Sequence, residues 1–336
     1  MNRNMYKWIQ DTISSPVKQA MPVLSFPAIQ LMGISVKDLI NSSDLQSKGM
    51  LLVAERTPSA ASVSLMDLSV EAECFGSKIF VTDGEVPSVV GAVVTDESDA
   101  NALEIPKIGA CRTGLYIESI RRAVHLISDR PVFAGMIGPF SLAARLMDVS
   151  QAMVNCYDEP DMVHTVMNKV TRFLTNYALS YKEAGADGII MAEPVTGLLS
   201  PDLADEFSHP YVKQIIDAVQ DESFAVIYHN CGGAVKRMSK GIYALGACGY
   251  HFGNAVRMED MLDGAPENSL VMGNVSPAEQ FRNGTPESIR EVTINILNAN
   301  SSHDNFVISS GCDIPPLSPW ENIDAFYKAV EEFYKR

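Results

Sequence analysis

The sequence predicts an α/β chain folded as a single (β/α)8 TIM-type barrel with an irregular N-terminal extension. Three observations predict it. From about residue 130 onward, short apolar runs alternate with helical stretches. The runs are almost continuously apolar, as strands of a parallel sheet covered on both faces must be. Polar residues then collect just after several of these runs, at the end of a barrel where active sites are built. A doubly wound dinucleotide fold would instead show a Gly-x-Gly-x-x-Gly turn after an early strand, and the chain has none. The Gly232-Gly233 pair alone is a weak phosphate signal.

The elements follow in order. A helix is expected within residues 1–20 and another over about 36–57, ahead of Val63-Ser-Leu65 and a helical stretch over 66–76. Residues 80–109 carry Gly and Pro punctuation with little helical period, which suggests short strands or an extension over the barrel. The predicted barrel strands are 131–137, 188–192, 224–228, 249–252, 270–272 and 306–309, and the long helices are 160–184, 203–220, 286–299 and 319–334. Pro160, Pro201, Pro286 and Pro319 stand close to where those helices begin, the position where proline costs least. No linker, repeat or low-complexity tract divides the chain, so one domain over 1–336 is expected, less regular over 21–130.

With 336 residues, 46% of them hydrophobic and 20% charged, the chain can bury a sizeable core. Its net charge of −15 argues against nucleic acid as a partner and equally against an anionic membrane surface. No window reaches the roughly 18 apolar residues of a membrane span, and the N-terminus lacks the apolar core of a signal peptide. The six cysteines lack disulfide-scaffold spacing. A cytoplasmic protein with reduced thiols is expected.

The chemistry concentrates in His229-Asn230-Cys231, at the end of the apolar run 224–228, and in Cys312, after the run 306–308. Alternate strand residues face one side, so His229 and Cys231 can meet at one point. Three N and S ligands with a fourth position open suit a catalytic zinc. A buried histidine and a core cysteine would be the ordinary reading of His-x-Cys alone. Position after two strands favours the metal.

These residues resemble those of the uroporphyrinogen decarboxylase family, in its zinc-dependent methylcobamide:coenzyme M methyltransferase branch. Asp67-Leu-Ser-Val-Glu-Ala-Glu73, Gly138-Pro-Phe-Ser-Leu-Ala143, Gly185-Ala-Asp-Gly188, Gly273-Asn274 and Gly311-Cys-Asp-Ile-Pro-Pro316 followed by Pro319-Trp-Glu-Asn322 carry the resemblance from about residue 20 onward. The decarboxylases hold substrate carboxylates with an N-terminal arginine segment. The matching stretch, Pro22–Gly33, has no basic residue, which argues against porphyrinogen decarboxylation itself.

The resemblance implies methyl transfer from a methylated corrinoid to a thiol such as coenzyme M, with His229, Cys231 and Cys312 holding zinc. The sequence has no Asp-x-His-x-x-Gly segment, so the cobamide is expected on a partner corrinoid protein. The acceptor could equally be tetrahydrofolate. A zinc hydrolase or a non-enzymatic thiol- or corrinoid-binding protein are the alternatives of other classes. Glu193 is a candidate displaceable zinc ligand or active-site base, against the reading of a solvated loop carboxylate. His251 and Asn274, near other strand ends, are candidates for cofactor binding and catalysis, or for packing. Arg145 or Arg257 could hold a sulfonate. Asp67, Glu71 and Glu73 read as a solvated acidic face, and Cys74, Cys111, Cys156 and Cys248 as core or surface thiols.

Overall fold

The structure is a computed structural model that describes residues 3–335. Residues 1, 2 and 336, the outermost of the expected single domain, lie outside the described residues. Seven strands form one parallel sheet: β1 Ser62–Val63, β4 Val132–Ile137, β5 Gly188–Ala192, β6 Ala225–Asn230, β7 Gly249–Phe252, β8 Leu270–Val275 and β9 Phe306–Ser310. They pair in chain order, each with its successor. Two further strands, β2 Lys78–Phe80 and β3 Ser88–Val90, form a separate antiparallel hairpin in the stretch without helical period.

The eighth stave is an extended segment that forms no regular ladder. Met21 N–H donates to Ile308 of β9 at 3.0 Å, and the Ala20 carbonyl accepts from Ala60 beside β1 at 2.9 Å. Residues 20–24 thus bridge the two sheet edges and complete a TIM-type barrel. Pro22 lacks the N–H a ladder needs, which is why the segment reads poorly as a strand.

Two packed layers result. Inside the barrel, Phe133, Ile190, Ala225, Ile227, Leu270, Met272 and Val307 pack together, with Met5 and Ile9 of the helix Met5–Ser14 among them. That helix closes the end of the barrel opposite the site, with the Trp8 ring tilted against Phe133 at 5.9 Å between centroids. Outside, the alternate strand residues, such as Val226, Tyr228 and Tyr250, pack under the covering helices.

Pro160, Pro201 and Pro286 are the first residues of their helices, and Pro319 immediately precedes Trp320–Tyr334. Two expected helices are each divided. The stretch 203–220 breaks at Ser208, because Pro210 cannot continue a helix through its own missing N–H, leaving Pro201–Phe207 and His209–Val219. The stretch 36–57 breaks at Asn41-Ser42, where the Ser42 side chain caps Ser43–Arg56 by accepting from Leu45 N–H. No described helix is long and apolar enough to cross a membrane.

Candidate metal centre

The alternation of β6 aims its chemistry. Ala225 and Ile227 point into the barrel, so His229 does as well, two residues on, and Cys231 follows just beyond the strand. Cys312 lies two residues past β9. The Gly311 N–H donates to Val275 at 2.7 Å, and Ile314 N–H donates to Val23 at 3.0 Å, which fixes the turn that carries Cys312. A side-chain nitrogen of His229 and the sulfurs of Cys231 and Cys312 lie within 4.8 Å of one another.

The protonation of His229 can be assigned from its neighbours. Ser309 Oγ–H donates to the Met21 carbonyl at 2.8 Å, so it must accept from His251 Nε2–H, 2.7 Å away. His251 Nδ1 is then an acceptor. His229 Nδ1, at 2.6 Å from it and 3.2 Å from the His251 carbonyl, carries the proton. This leaves His229 Nε2 as a bare lone pair. That atom is buried with no hydrogen-bond partner, in a residue only 2% exposed. An imidazole held in one tautomer by its second nitrogen is how a protein prepares a metal-ligating histidine.

The two thiols are electrostatically linked. A hydrogen bond from Cys312 pulls the Cys231 thiol down to about 4, with burial opposing and His229 assisting. The same bond, with burial and the Cys231 charge, pushes Cys312 up. The pair therefore releases one proton early, and a thiolate is the form that binds metal. A lone-pair nitrogen with no partner and a thiolate-forming cysteine pair suit the soft-to-borderline demands of zinc.

Glu193, His251 and Asn274 are placed differently from the cluster. Glu193, fully buried, starts from an N–H bond to the His229 carbonyl. Its carboxylate accepts from Phe140 N–H, Ser141 N–H, Ser141 Oγ–H and Thr196 Oγ1–H at 2.7–3.0 Å. It thereby caps the helix Pro139–Met147 and is not among the clustered metal-ligating atoms. A Cβ on Gly138 would meet it at 2.3 Å. Burial raises Glu193 to about 7 against the pull of those donors. His251 stands behind His229 with both ring nitrogens engaged by protein, so neither is left for a cofactor; burial and His229 hold it below the ordinary imidazole range. Asn274 Nδ2 donates to the carbonyls of Gly253 and Val256 at 3.0 and 2.7 Å. It fastens the loop after β7 against the cluster.

Two further expectations change. Asp67 and Glu71 are buried, not solvated. Asp67 accepts from Arg112 at 2.5 Å and from Tyr116 at 2.8 Å, while Glu71 Oε1 accepts from Ile137 N–H at 3.1 Å. Arg257 is exposed and pairs with Glu259 at 2.8 Å. Cys156 and Cys248 are buried and Cys111 is exposed. Sequence reasoning missed Ser309, whose role depends on strand pairing that no local motif records.

A TIM-type barrel with a His-Cys-Cys cluster at the C-terminal ends of its strands defines a barrel protein with a candidate catalytic metal centre. The sequence profile of the Uroporphyrinogen decarboxylase (URO-D) family matches residues 9–333, and the chain belongs to that family. It is 27% identical over 275 residues to the methylcobamide:CoM methyltransferase MtbA of Methanosarcina acetivorans, covering 80% of this chain and 78% of that protein. It is 25% identical over 303 residues to the uroporphyrinogen decarboxylase of Coxiella burnetii, covering 86% and 82%. The solved structure of a methyltransferase from Methanosarcina mazei shares the fold over 99% of both chains, with a TM-score of 0.86 and 23% identity.

Proposed function

We propose that this chain is a zinc-dependent methyltransferase that moves a methyl group from a methylated corrinoid, carried by a partner protein, to a small thiol such as coenzyme M. The observation that carries the reading is that a His229 ring nitrogen and the Cys231 and Cys312 sulfurs lie within 4.8 Å of one another, while His229 Nε2 is buried with no hydrogen-bond partner. The similarity to methylcobamide:CoM methyltransferases over most of both chains supports the donor and acceptor classes.

His229, Cys231 and Cys312 would hold the zinc, and three such protein ligands would leave a position for a substrate. Zinc bound there would hold an incoming thiol as its thiolate at neutral pH. The Cys231 and Cys312 sulfurs would keep such a centre electron-rich, so that an acceptor sulfur would retain its nucleophilicity. The relay through His251, Ser309 and Met21 keeps His229 Nε2 unprotonated and aimed at the cluster. In the reaction the acceptor sulfur forms a bond to the methyl carbon. The carbon–cobalt pair of electrons stays on cobalt, and the thiol proton leaves to solvent. A hydrolase on this barrel would need Glu193 as base, and four donors already occupy that carboxylate.

The test is methyl transfer from free methylcobalamin to a panel of thiols by zinc-loaded protein, followed by mass spectrometry of the thioether. His229→Ala, Cys231→Ser and Cys312→Ser are each expected to lower the rate more than about 100-fold, beyond what outer-shell changes cost. Absence of any methylated thiol with zinc-replete protein would refute the reading.

A further inference from the structure

The metal cluster uses Cys231 and Cys312 and leaves the other thiols without a role. Two of these, Cys74 and Cys111, are far apart in the chain and meet in the fold. Cys74 ends the helix Val70–Cys74, and Cys111 lies in the turn just ahead of the helix Thr113–Leu126. The Cys74 thiol donates to the Ala110 carbonyl at 3.1 Å, and the Cys111 thiol points back at the Glu73 carbonyl, 4.0 Å away. Each sulfur thus reaches the peptide group that enters the other cysteine. Burial pushes the Cys74 thiol up, and Cys111 adds to this as a charge and as a hydrogen-bond partner.

The residues on either side enforce the meeting. Glu73, just before Cys74, pairs with Arg112, just after Cys111, at 2.6 Å. Arg112 also pairs with the buried Asp67 at 2.5 Å and donates to Ser69 Oγ at 2.9 Å. Separating the two segments would strand a buried charge, which is strongly unfavourable. The thiols are therefore kept side by side while still reduced, and a disulfide forms only between cysteines held that close. Cys111 adopts a φ of 48°, a left-handed conformation that residues with a side chain seldom take. It is exposed, whereas Cys74 is half-buried. One thiol of the pair can be reached from outside, and the second waits behind it.

We propose that Cys74 and Cys111 form a redox-modification site, sharing no residue with the metal cluster, that low-molecular-weight disulfides oxidise reversibly. The Cys111 thiolate attacks one sulfur of the external disulfide, forming a mixed disulfide and expelling one small thiolate. Cys74 then loses its proton to solvent, and its sulfur attacks Cys111 Sγ and expels the second small thiolate. Two cysteines are oxidised by two electrons, and one external disulfide is reduced to two thiols. The bridge closes residues 75–110, with the β2–β3 hairpin, into one loop. It also fastens the helix that carries Glu71 to the turn that carries Arg112.

The test is incubation of zinc-loaded protein with glutathione disulfide, followed by alkylation, tryptic digestion without reduction and mass spectrometry. Peptides 57–78 and 108–112, which carry Cys74 and Cys111, are expected as one linked species that dithiothreitol separates. The unfolding midpoint is expected to rise by about 5 °C on oxidation, because a bridge across a loop of this length restricts the unfolded chain. Cys74→Ser is expected to stop at glutathione bound to Cys111, with no such rise, and Cys111→Ser to leave Cys74 unmodified. The peptide map of the unaltered protein carries the test if either variant fails to fold. Unaltered protein in which both thiols stay free for alkylation, or in which Cys111 keeps its glutathione while Cys74 is alkylated, would overturn the assignment. So would a bridge found between Cys231 and Cys312 with none between Cys74 and Cys111.

Discussion

At the scale of single residues, the centre depends on one unshared lone pair. His229 Nε2 is available because a chain of hydrogen bonds, ending at the Met21 carbonyl, fixes the tautomers of two histidines. Ser309→Ala removes the acceptor that holds the His251 proton on Nε2. Zinc affinity is expected to fall about 10- to 100-fold, as outer-shell losses do, although every ligand remains; a competition titration with a chromophoric chelator measures it. Glu71 provides a pH signature. Burial, with Asp67 adding, raises it from 4.5 to about 7, against the opposing pull of hydrogen bonds and Arg112. Its folded value lies above its unfolded value, so the native state binds the extra proton between those pH values. Stability from this group is therefore present at low pH and lost as pH rises from about 4.5 to 7, by an amount on the order of 3 kcal/mol. Urea unfolding from pH 5 to 8 should show this component in the unaltered protein and lack it in Glu71→Gln. An identical pH slope in both proteins would contradict the assignment.

At the scale of elements, the cluster is held by the contact of one loop with the next. A Cβ at Gly253, after β7, would lie 2.5 Å from Cys231 Cβ and 2.6 Å from its Cα. The Asn274 amide pins the Gly253 carbonyl from β8. Gly253→Ala removes no ligand, yet it is expected to displace Cys231 and to weaken zinc binding by at least about tenfold. Zinc stoichiometry measured after dialysis against a weak chelator checks this. The strands were legible in the sequence because each is a bounded apolar run, and the helix starts because proline marks them. Pro210 also explains the break at Ser208, yet helical periodicity alone runs straight through it. The fate of Glu193 was not legible. Its position after β5 reads as a mouth-facing carboxylate, but its partners Phe140 and Ser141 belong to a helix more than 50 residues earlier. Asp67 and Glu71 misread for the same reason: Arg112, Tyr116 and Ile137 reach them only after folding.

At the scale of the whole molecule, the barrel explains why residues 229, 231 and 312 meet. Parallel strands in chain order bring every strand's C-terminal end to one rim, so β6 and β9 deliver their ligands to a shared mouth. Part of this was legible from β/α alternation. The eighth stave was not, because residues 20–24 contribute isolated bonds to both edges and contain Pro22. The closure of the barrel's opposite end by Met5 and Ile9 was equally hidden, since a short amphipathic helix does not reveal what it covers. At the shared mouth we propose that His229, Cys231 and Cys312 hold zinc with a position open to a thiol. Zinc K-edge X-ray absorption of protein loaded with one equivalent of zinc, recorded before and after addition of 2-mercaptoethanesulfonate, tests it most directly. Two sulfurs and one histidine nitrogen from the protein are expected, with a third sulfur appearing on addition of the thiol. A zinc shell without sulfur, or one that the thiol leaves unchanged, would contradict it.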